Sequence, residues 1–200
     1  MSSKTTPLPL HADGFTGTDT GTVTFGAPYA LGVVPFEDKG FIAIDTLTVD
    51  GKPTGLPSYA STEYISYDLK GIQYLDPHGN PTGAVYTGGG YKVFADVGEA
   101  PAFGHRADGT AFTTDKHPME IGEGRALSGD VTFRPDGTIV DHLKLSAADL
   151  TPGAKPGATL GTFDLTVTSK LASVGHTAAG SLLFGGEPGN AAAVFTPSHG

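Results

Sequence analysis

The stretch of residues 98–126 gathers the side chains that metal binding or acid–base chemistry needs. It shows little hydrophobic alternation, and it holds two histidines among several acidic and basic residues. Imidazole nitrogens and carboxylate oxygens bind metal ions, and the same groups transfer protons near neutral pH. The candidate ligand- or metal-binding residues of this segment are His105, Asp115, His117 and Glu120.

The spacing of these four residues matches no zinc signature, because the chain has neither a His-Glu-x-x-His motif nor a Cys/His knuckle. A long loop without regular structure is commonly functional or disordered, and loops on rigid β scaffolds often carry binding groups. Two interpretations therefore stand side by side. The segment is a site for a metal ion or another cofactor, or it is a solvated loop whose charges keep the protein soluble.

A shorter candidate is the segment of residues 76–81, in which Asp76, His78 and Asn80 alternate as oxygen or nitrogen donors. Alternating ligands are typical of calcium-binding loops, but the bidentate Glu that an EF-hand loop carries at its twelfth position is missing. Asp-Pro and Gly-Asn-Pro are also turn-forming sequences. We expect a turn here, with ligand binding as the alternative.

Five of the seven tyrosines lie between residues 64 and 91. Aromatic rings with polar tips suit a face that binds carbohydrate or another small ligand, and they equally suit cross-strand pairs at the edge of a core. The candidates for an aromatic binding face are Tyr64, Tyr74 and Tyr86. A haem group would take a Tyr or His as its axial ligand, and nothing in the sequence selects one.

The scaffold that positions these groups is predicted to be all-β with negligible helix. The 30 Gly and 15 Pro are spread along the chain, and each interrupts helical backbone. The longest windows without them, residues 58–70, 138–151 and 162–174, have period-two alternation, which is typical of half-buried strands. One helical turn over residues 146–150 is the only helical element that we consider.

Local signals place a hairpin and two bulges. Arg134-Pro135-Asp136-Gly137 lies between two alternating runs, so we predict a hairpin turn there. In the run that follows, the period predicts Ile139, Leu143 and Leu145 on the inward face. The alternation changes phase near Asp45 and near Gly71, which predicts a β-bulge at each position. A row of threonines at every second position from 16 to 24 is expected on a solvent-facing edge strand.

Together these signals predict a single domain over residues 1–200, either a β-sandwich or a β-barrel of about ten short, mostly antiparallel strands. The ends, residues 1–15 and 186–200, are expected to be flexible. There is no Cys, so disulfides and thiolate metal sites are excluded. The choice between sandwich and barrel stays open.

Charge and composition limit the partners. The net charge is −9, without a basic cluster, so nucleic acid and anionic membranes are poor partners. No apolar run approaches the roughly 20 residues of a membrane span, and the first residues contain no apolar signal core. The abundance of Gly, Thr, Ser and Asp with little Lys favours an exported bacterial protein, extracellular or periplasmic.

The leading hypothesis for function is an exported, non-catalytic β domain that binds a small ligand, glycan or protein, or that forms an extracellular assembly. It is based on the absence of a Gly-x-Ser-x-Gly elbow, a phosphate-binding loop and any cysteine. The alternatives are a small β-barrel enzyme, isomerase or hydrolase, with His and carboxylate acid–base groups, and a metal- or haem-binding protein that uses the loop histidines. Self-association stays open.

Overall fold

The computed structural model describes residues 13–29, 32–56, 62–96, 98–116, 118–146, 161–176, 182–186 and 189–197. These ranges contain twelve strands and no helix, which confirms the all-β prediction, and they contain no helix that could cross a membrane. The expected helical turn lies outside them except for its first residue, and so do residues 1–12, 187–188 and 198–200 of the ends expected to be flexible, whereas residues 189–197 form a strand. The strands are β1 (Gly14–Phe25), β2 (Val33–Val49), β3 (Lys52–Thr54), β4 (Thr62–Leu75), β5 (Pro81–Asp96), β6 (Phe103–His105), β7 (Ala111–Thr113), β8 (Met119–Phe133), β9 (Thr138–Ser146), β10 (Gly161–His176), β11 (Leu182–Gly186) and β12 (Gly189–Pro197).

The strands form a closed antiparallel barrel. Seven strands pair one after the next in the order β1, β2, β4, β5, β8, β9 and β10. β11 and β12 together act as one interrupted eighth strand, which lies between β10 and β1 and closes the barrel. Of the two architectures that the sequence allowed, the barrel is the one formed. We call the end with the β1–β2, β4–β5 and β8–β9 connections the turn end, and the opposite end the insert end.

The barrel strands are longer than the sequence suggested, up to 17 residues in β2, because bulges interrupt the alternation without ending the strand. The bulge predicted near Asp45 is confirmed: Thr16 pairs with Thr46 and Gly17 with Ile44, so Asp45 is the extra residue. The predicted hairpin is confirmed as well, with the Gly137 amide donating to the Arg134 carbonyl and a φ of 81° at Gly137.

The bulge near Gly71 lies at the predicted height but on the neighbouring strand. Lys70 pairs with Gly88 and Gly71 with Tyr86, so the extra residue is Thr87 of β5. β4 itself keeps one inward row, and its exposed Tyr74 faces outside. The apparent change of phase came from apolar residues on the outer face of β4.

The prediction of one long segment without regular structure over residues 98–126 is wrong for its last eight residues and for the residues of β6 and β7. Residues from Met119 onwards belong to the barrel strand β8. Gly124, Ala126 and Gly129 hold inward positions there, so the strand lacks the bulky inward residues that make alternation visible. The first half contains the β6–β7 hairpin, which packs on the outside of β1.

The threonine row points outward as expected, but β1 is not an edge strand, because β2 and the β11–β12 pair flank it on both sides. Thr20 and Thr22 are buried beneath the β6–β7 hairpin. The Thr22 hydroxyl donates to the Gly109 carbonyl at 2.8 Å and accepts from the Ala111 amide at 2.9 Å.

The interior is packed solid towards the insert end. Leu47, Val93 and Ala95 are almost fully buried there, and Phe163 lies edge-on to both Phe15 and Tyr91, with ring centroids 6.4 and 5.4 Å apart. This apolar plug closes one end of the barrel. The other half of the interior holds a cavity.

Candidate ligand-binding cavity

A cavity of about 900 Å³ runs from the middle of the barrel to the turn end. Its walls are mainly apolar inward side chains from β1, β2, β4, β5, β8, β9 and β10, including Val23, Phe25, Leu69, Val131 and Val167. Sites for small molecules commonly measure about 300–1,000 Å³, and eight-stranded barrels either fill their interior or hold one small ligand. The volume and the lining fit the second arrangement.

Three carboxyl groups and two tyrosines interrupt the apolar lining. Asp19 of β1, Asp38 of β2 and Asp141 of β9 face the interior, and so do Tyr67 of β4 and Tyr86 of β5. The Tyr67 hydroxyl donates to Asp19 Oδ1 at 2.9 Å. The Tyr86 hydroxyl lies 2.8 Å from Asp38 Oδ2 and 3.0 Å from Asp141 Oδ1. We call these five residues the acidic cluster.

Burial sets the protonation of the acidic cluster. It raises the pKa of Asp19 to about 7, with repulsion from Asp38 adding to the effect, and it raises the pKa of Asp38 to about 6. The pKa of Asp141 is also well above its usual range, first because of burial and then because of repulsion from Asp38. Burial likewise raises the pKa of both tyrosines, so each keeps its phenolic proton.

The contacts of Tyr86 agree with a protonated carboxyl in the cluster. A phenol carries one hydrogen, so Tyr86 can donate to only one of its two carboxyl neighbours. The second contact is a hydrogen bond when that neighbour carries a proton and donates to the phenol oxygen. The raised pKa of Asp141 fits a chain in which Asp141 donates to Tyr86 and Tyr86 donates to Asp38.

Glycines make room for the cluster. A Cβ atom on Gly40 would lie 2.5 Å from the Tyr67 hydroxyl, and one on Gly21 would overlap the same hydroxyl. That point beside Gly21 is also 3.3 Å from Asp19 Oδ2 and 3.5 Å from Asp38 Oδ1. Three oxygens of the cluster therefore converge on one small region of the cavity.

The side chain of Gln73 is a further polar group of the wall. It is 8% exposed, it lines the cavity, and within the described residues its amide makes no hydrogen bond. It lies on the inward row of β4, two residues closer to the turn end than Gly71, which pairs with Tyr86. A buried amide without a partner costs free energy unless water or a guest satisfies it.

The three candidate residues of residues 98–126 that the structure describes do not come together. His105 donates from Nε2 to the Gly21 carbonyl at 2.8 Å, Asp115 accepts from the Tyr64 hydroxyl at 2.9 Å, and Glu120 pairs with Lys92 at 2.7 Å. His117 lies outside the described residues. No group of three or more His, Asp or Glu that could hold a metal ion occurs in the part of the chain that the structure describes.

The segment around Asp76 has the geometry of a turn. Asp76 Oδ1 accepts from the amides of His78 and Asn80, both at 2.8 Å, and Oδ2 accepts from the Asn80 side chain at 3.0 Å. These hydrogen bonds hold the pKa of Asp76 below its usual range. The carboxylate thus binds its own loop.

The three tyrosines of the predicted aromatic face lie in three different places. Tyr64 packs outside the barrel, with its ring stacked on Phe94 and edge-on to Phe103 of β6. Tyr74 is exposed, whereas Tyr86 is buried in the cavity. They share no common surface, because Tyr64 and Tyr74 point out of the barrel and Tyr86 points in.

The sequence does contain a signal for the acidic cluster, which composition and motif spacing do not reveal. Each of the three acids occupies an inward position of an otherwise apolar alternating row. Asp141 lies between Ile139 and Leu143, and Asp38 follows Val34 and Phe36 at spacing two. A carboxyl group inside an apolar row must be buried, and buried carboxyl groups concentrate at functional sites.

No protein-family model, no curated protein and no solved structure matches this chain. Its function is therefore inferred from the cavity and the acidic cluster.

Proposed function

We propose that the protein binds one small, mostly apolar molecule inside the barrel and holds the polar group of that molecule at the acidic cluster. The observation that carries this proposal is an apolar cavity of about 900 Å³ on which buried carboxyl and tyrosine groups converge. Such a combination is the usual arrangement of a small-molecule site. From composition alone, we also propose an extracellular or periplasmic location.

The test fills the cavity and leaves the fold in place. Val131 lines the cavity, and the next residue, Thr132, is exposed on the same strand. We expect Val131→Trp to weaken binding of the neutral fluorescent probe N-phenyl-1-naphthylamine at least tenfold, and Thr132→Trp to leave it unchanged. Equal binding by both folded variants would exclude the cavity as the site.

Acid–base catalysis is a second candidate, because the pKa values of Asp38 and Asp19, about 6 and about 7, suit proton transfer at neutral pH. The discriminating measurement is solvent exchange. A catalytic cluster would incorporate deuterium from D2O at the carbon next to the carbonyl of an apolar cyclic ketone, and Asp19→Asn would abolish it. If such ketones bind but exchange no hydrogen, the result supports ligand binding and excludes this catalysis.

A further inference from the structure

The two carboxyl oxygens that the tyrosines leave unused face the same space. Tyr67 donates to Asp19 Oδ1 and Tyr86 lies against Asp38 Oδ2, whereas Asp19 Oδ2 and Asp38 Oδ1 accept no hydrogen bond from any described residue. Both free oxygens lie within 3.5 Å of the position that a Cβ atom on Gly21 would take, and the Tyr67 hydroxyl lies closer still, so the two oxygens flank that hydroxyl. An ionised carboxylate only accepts hydrogen bonds, so this pair calls for a guest that donates.

The charge of the lining selects among donors. Around the acidic cluster, the inward titratable groups on the described residues are acids or phenols: Asp19 on β1, Asp38 on β2, Tyr67 on β4, Tyr86 and Tyr91 on β5, and Asp141 on β9. The described side chains of β8, β10 and β12 include no titratable group that faces the interior at the level of the acidic cluster. The basic side chains of the lining, Arg134 and Lys170, belong to the turn end.

Gln73 supplies an independent sign of a guest. The residue is 8% exposed and lines the same cavity, and its amide has no hydrogen-bond partner among the described residues. It lies nearer the turn end of β4 than Gly71, which pairs with Tyr86 of the acidic cluster. A guest that satisfies both features has a donor at its deep end and a second polar group nearer the turn end.

Building on the binding function proposed above, we propose that the guest is a small apolar amine. Its ammonium group binds between Asp19 and Asp38 beside Gly21, and its second polar group hydrogen-bonds to Gln73. An ammonium carries three donors, no acceptor and one positive charge, which matches acceptor oxygens in an acidic, poorly solvated space. A carboxylate guest would be repelled, and an alcohol would lack the charge.

Binding of a cation is expected to depend on pH with a definite sign. In the empty barrel burial raises the pKa of Asp19 and Asp38, so both hold protons more readily than exposed carboxyls do. The ammonium group favours their ionised forms and so displaces protons. Affinity therefore rises from pH 5 to pH 8, a range in which an alkylamine stays charged because its pKa is about 10. Acidification releases the guest.

Calorimetric titration with octylamine, octan-1-ol and octanoate tests the inference. At pH 8 we expect octylamine to bind at least tenfold more tightly than the alcohol, octanoate to bind most weakly, and octylamine to lose at least tenfold in affinity at pH 5. Asp19→Asn and Asp38→Asn should each reduce the preference for amine over alcohol to less than threefold. Asp164→Asn, at an exposed position, is the matched control.

A second pair of probes addresses Gln73. Gln73→Leu should weaken 6-aminohexan-1-ol at least threefold and leave hexylamine unchanged, because only the amino alcohol can reach the amide with a second polar group. Circular dichroism must show a cooperative unfolding transition for every variant that is compared. An equal loss for the two probes would overturn the role of Gln73.

The outcomes separate the inference from the function on which it rests. Equal, pH-independent binding of amine and alcohol would overturn the amine and leave the binding function intact. Binding of N-phenyl-1-naphthylamine without binding of any octyl compound would do the same. Failure of all four probes to bind would overturn both.

Discussion

Inside the barrel, large aromatic rings are matched with glycines on neighbouring strands. In each pair a Cβ atom on the glycine would collide with the ring or its hydroxyl, and the pairs are Tyr67 with Gly40, Tyr91 with Gly124, Tyr86 with Gly129 and Phe36 with Gly71. Side chains in cores are close-packed, so such slots accept no added volume without displacement. The glycines therefore fix where the cavity ends and where the tyrosine hydroxyls point.

The slot beneath Tyr91 gives the first prediction. Gly124→Ala should destabilise the protein by about 1–3 kcal/mol, because the methyl group would push the ring away from the plug and from its hydrogen bond to the Ser146 carbonyl. Gly88→Ala is the control, since a Cβ there would meet nothing within 4 Å. Urea unfolding measures both. Equal effects of the two changes would refute the slot.

The raised pKa of Asp19 predicts how the free energy of unfolding changes with pH. Its folded-state pKa of about 7 lies above the ordinary value of 3.8, so its contribution to stability is full below about pH 4 and is lost as the pH rises through about 7. The unliganded wild type should therefore be less stable at pH 8 than at pH 5. Asp19→Asn should flatten that slope and raise the free energy of unfolding at pH 8 by about 1–3 kcal/mol.

The comparison for Asp19 is the exposed Asp164. Asp164→Asn should keep the slope of the wild type between pH 5 and pH 8, measured as free energy of unfolding in urea. A slope that Asp19→Asn leaves unchanged would mean that Asp19 titrates as an ordinary carboxyl group.

Among the elements, the β6–β7 hairpin docks on β1 through the Thr22 hydroxyl and through the hydrogen bond from His105 to the Gly21 carbonyl. Thr22 Oγ1 donates to Gly109 and accepts from the Ala111 amide, so Thr22→Val removes both hydrogen bonds and leaves the side-chain volume nearly unchanged. We expect a loss of about 1 kcal/mol or more. Amide hydrogen exchange should accelerate at Ala111 and stay unchanged in β9.

The control for the hairpin lies in the same threonine row. Thr16 is exposed on β1, and Thr16→Val should leave exchange at Ala111 as it is in the wild type. Acceleration throughout the barrel in Thr22→Val would show instead that the hairpin is part of the barrel's cooperative unit.

The strands were predictable where the signal is local. Alternation predicted β9 with Ile139, Leu143 and Leu145 inward, and the phase change at Asp45 predicted its bulge, because side-chain direction in a strand depends only on position along that strand. The first half of β8 was missed because its inward glycines carry no apolar signal. The alternation pattern depends on apolar side chains, and a strand segment whose inward residues are glycines has none to show it.

The candidate site was not predictable in the same way. Asp19, Asp38 and Asp141 lie on three strands, and only the pairing of distant segments brings them to one cavity. Each could have been recognised as a buried acid within an apolar row. Their convergence could not, because it depends on how many strands close the barrel and in what register.

For the whole molecule, the decisive contact is the closure between the two ends of the chain. Gly14 of β1 pairs with Val194 of β12, and β12 also pairs with β10, so β12 removes two edges at once. Without it, β1 and β10 would expose unpaired amides and carbonyls, and their inward apolar faces would lose cover. β12 therefore closes the part of the seam nearer the insert end, while β11 pairs with β1 and β10 nearer the turn end.

The last prediction compares that seam with the insertion outside the barrel. A chain that ends at residue 186, and thus lacks β12, should lose its cooperative unfolding transition and sediment as aggregates, because an open sheet of this length presents apolar edges.

Replacement of residues 99–116 by a short Gly-Ser linker removes β6 and β7, which pair only with each other, so this variant should stay monomeric and unfold cooperatively at a lower temperature. Its loss of stability comes from uncovering Phe41 and Tyr64, which Phe103 contacts on the barrel's outer surface. Differential scanning calorimetry with sedimentation velocity measures both. A monomeric, cooperative chain without β12 would show that the barrel does not need its closure to fold.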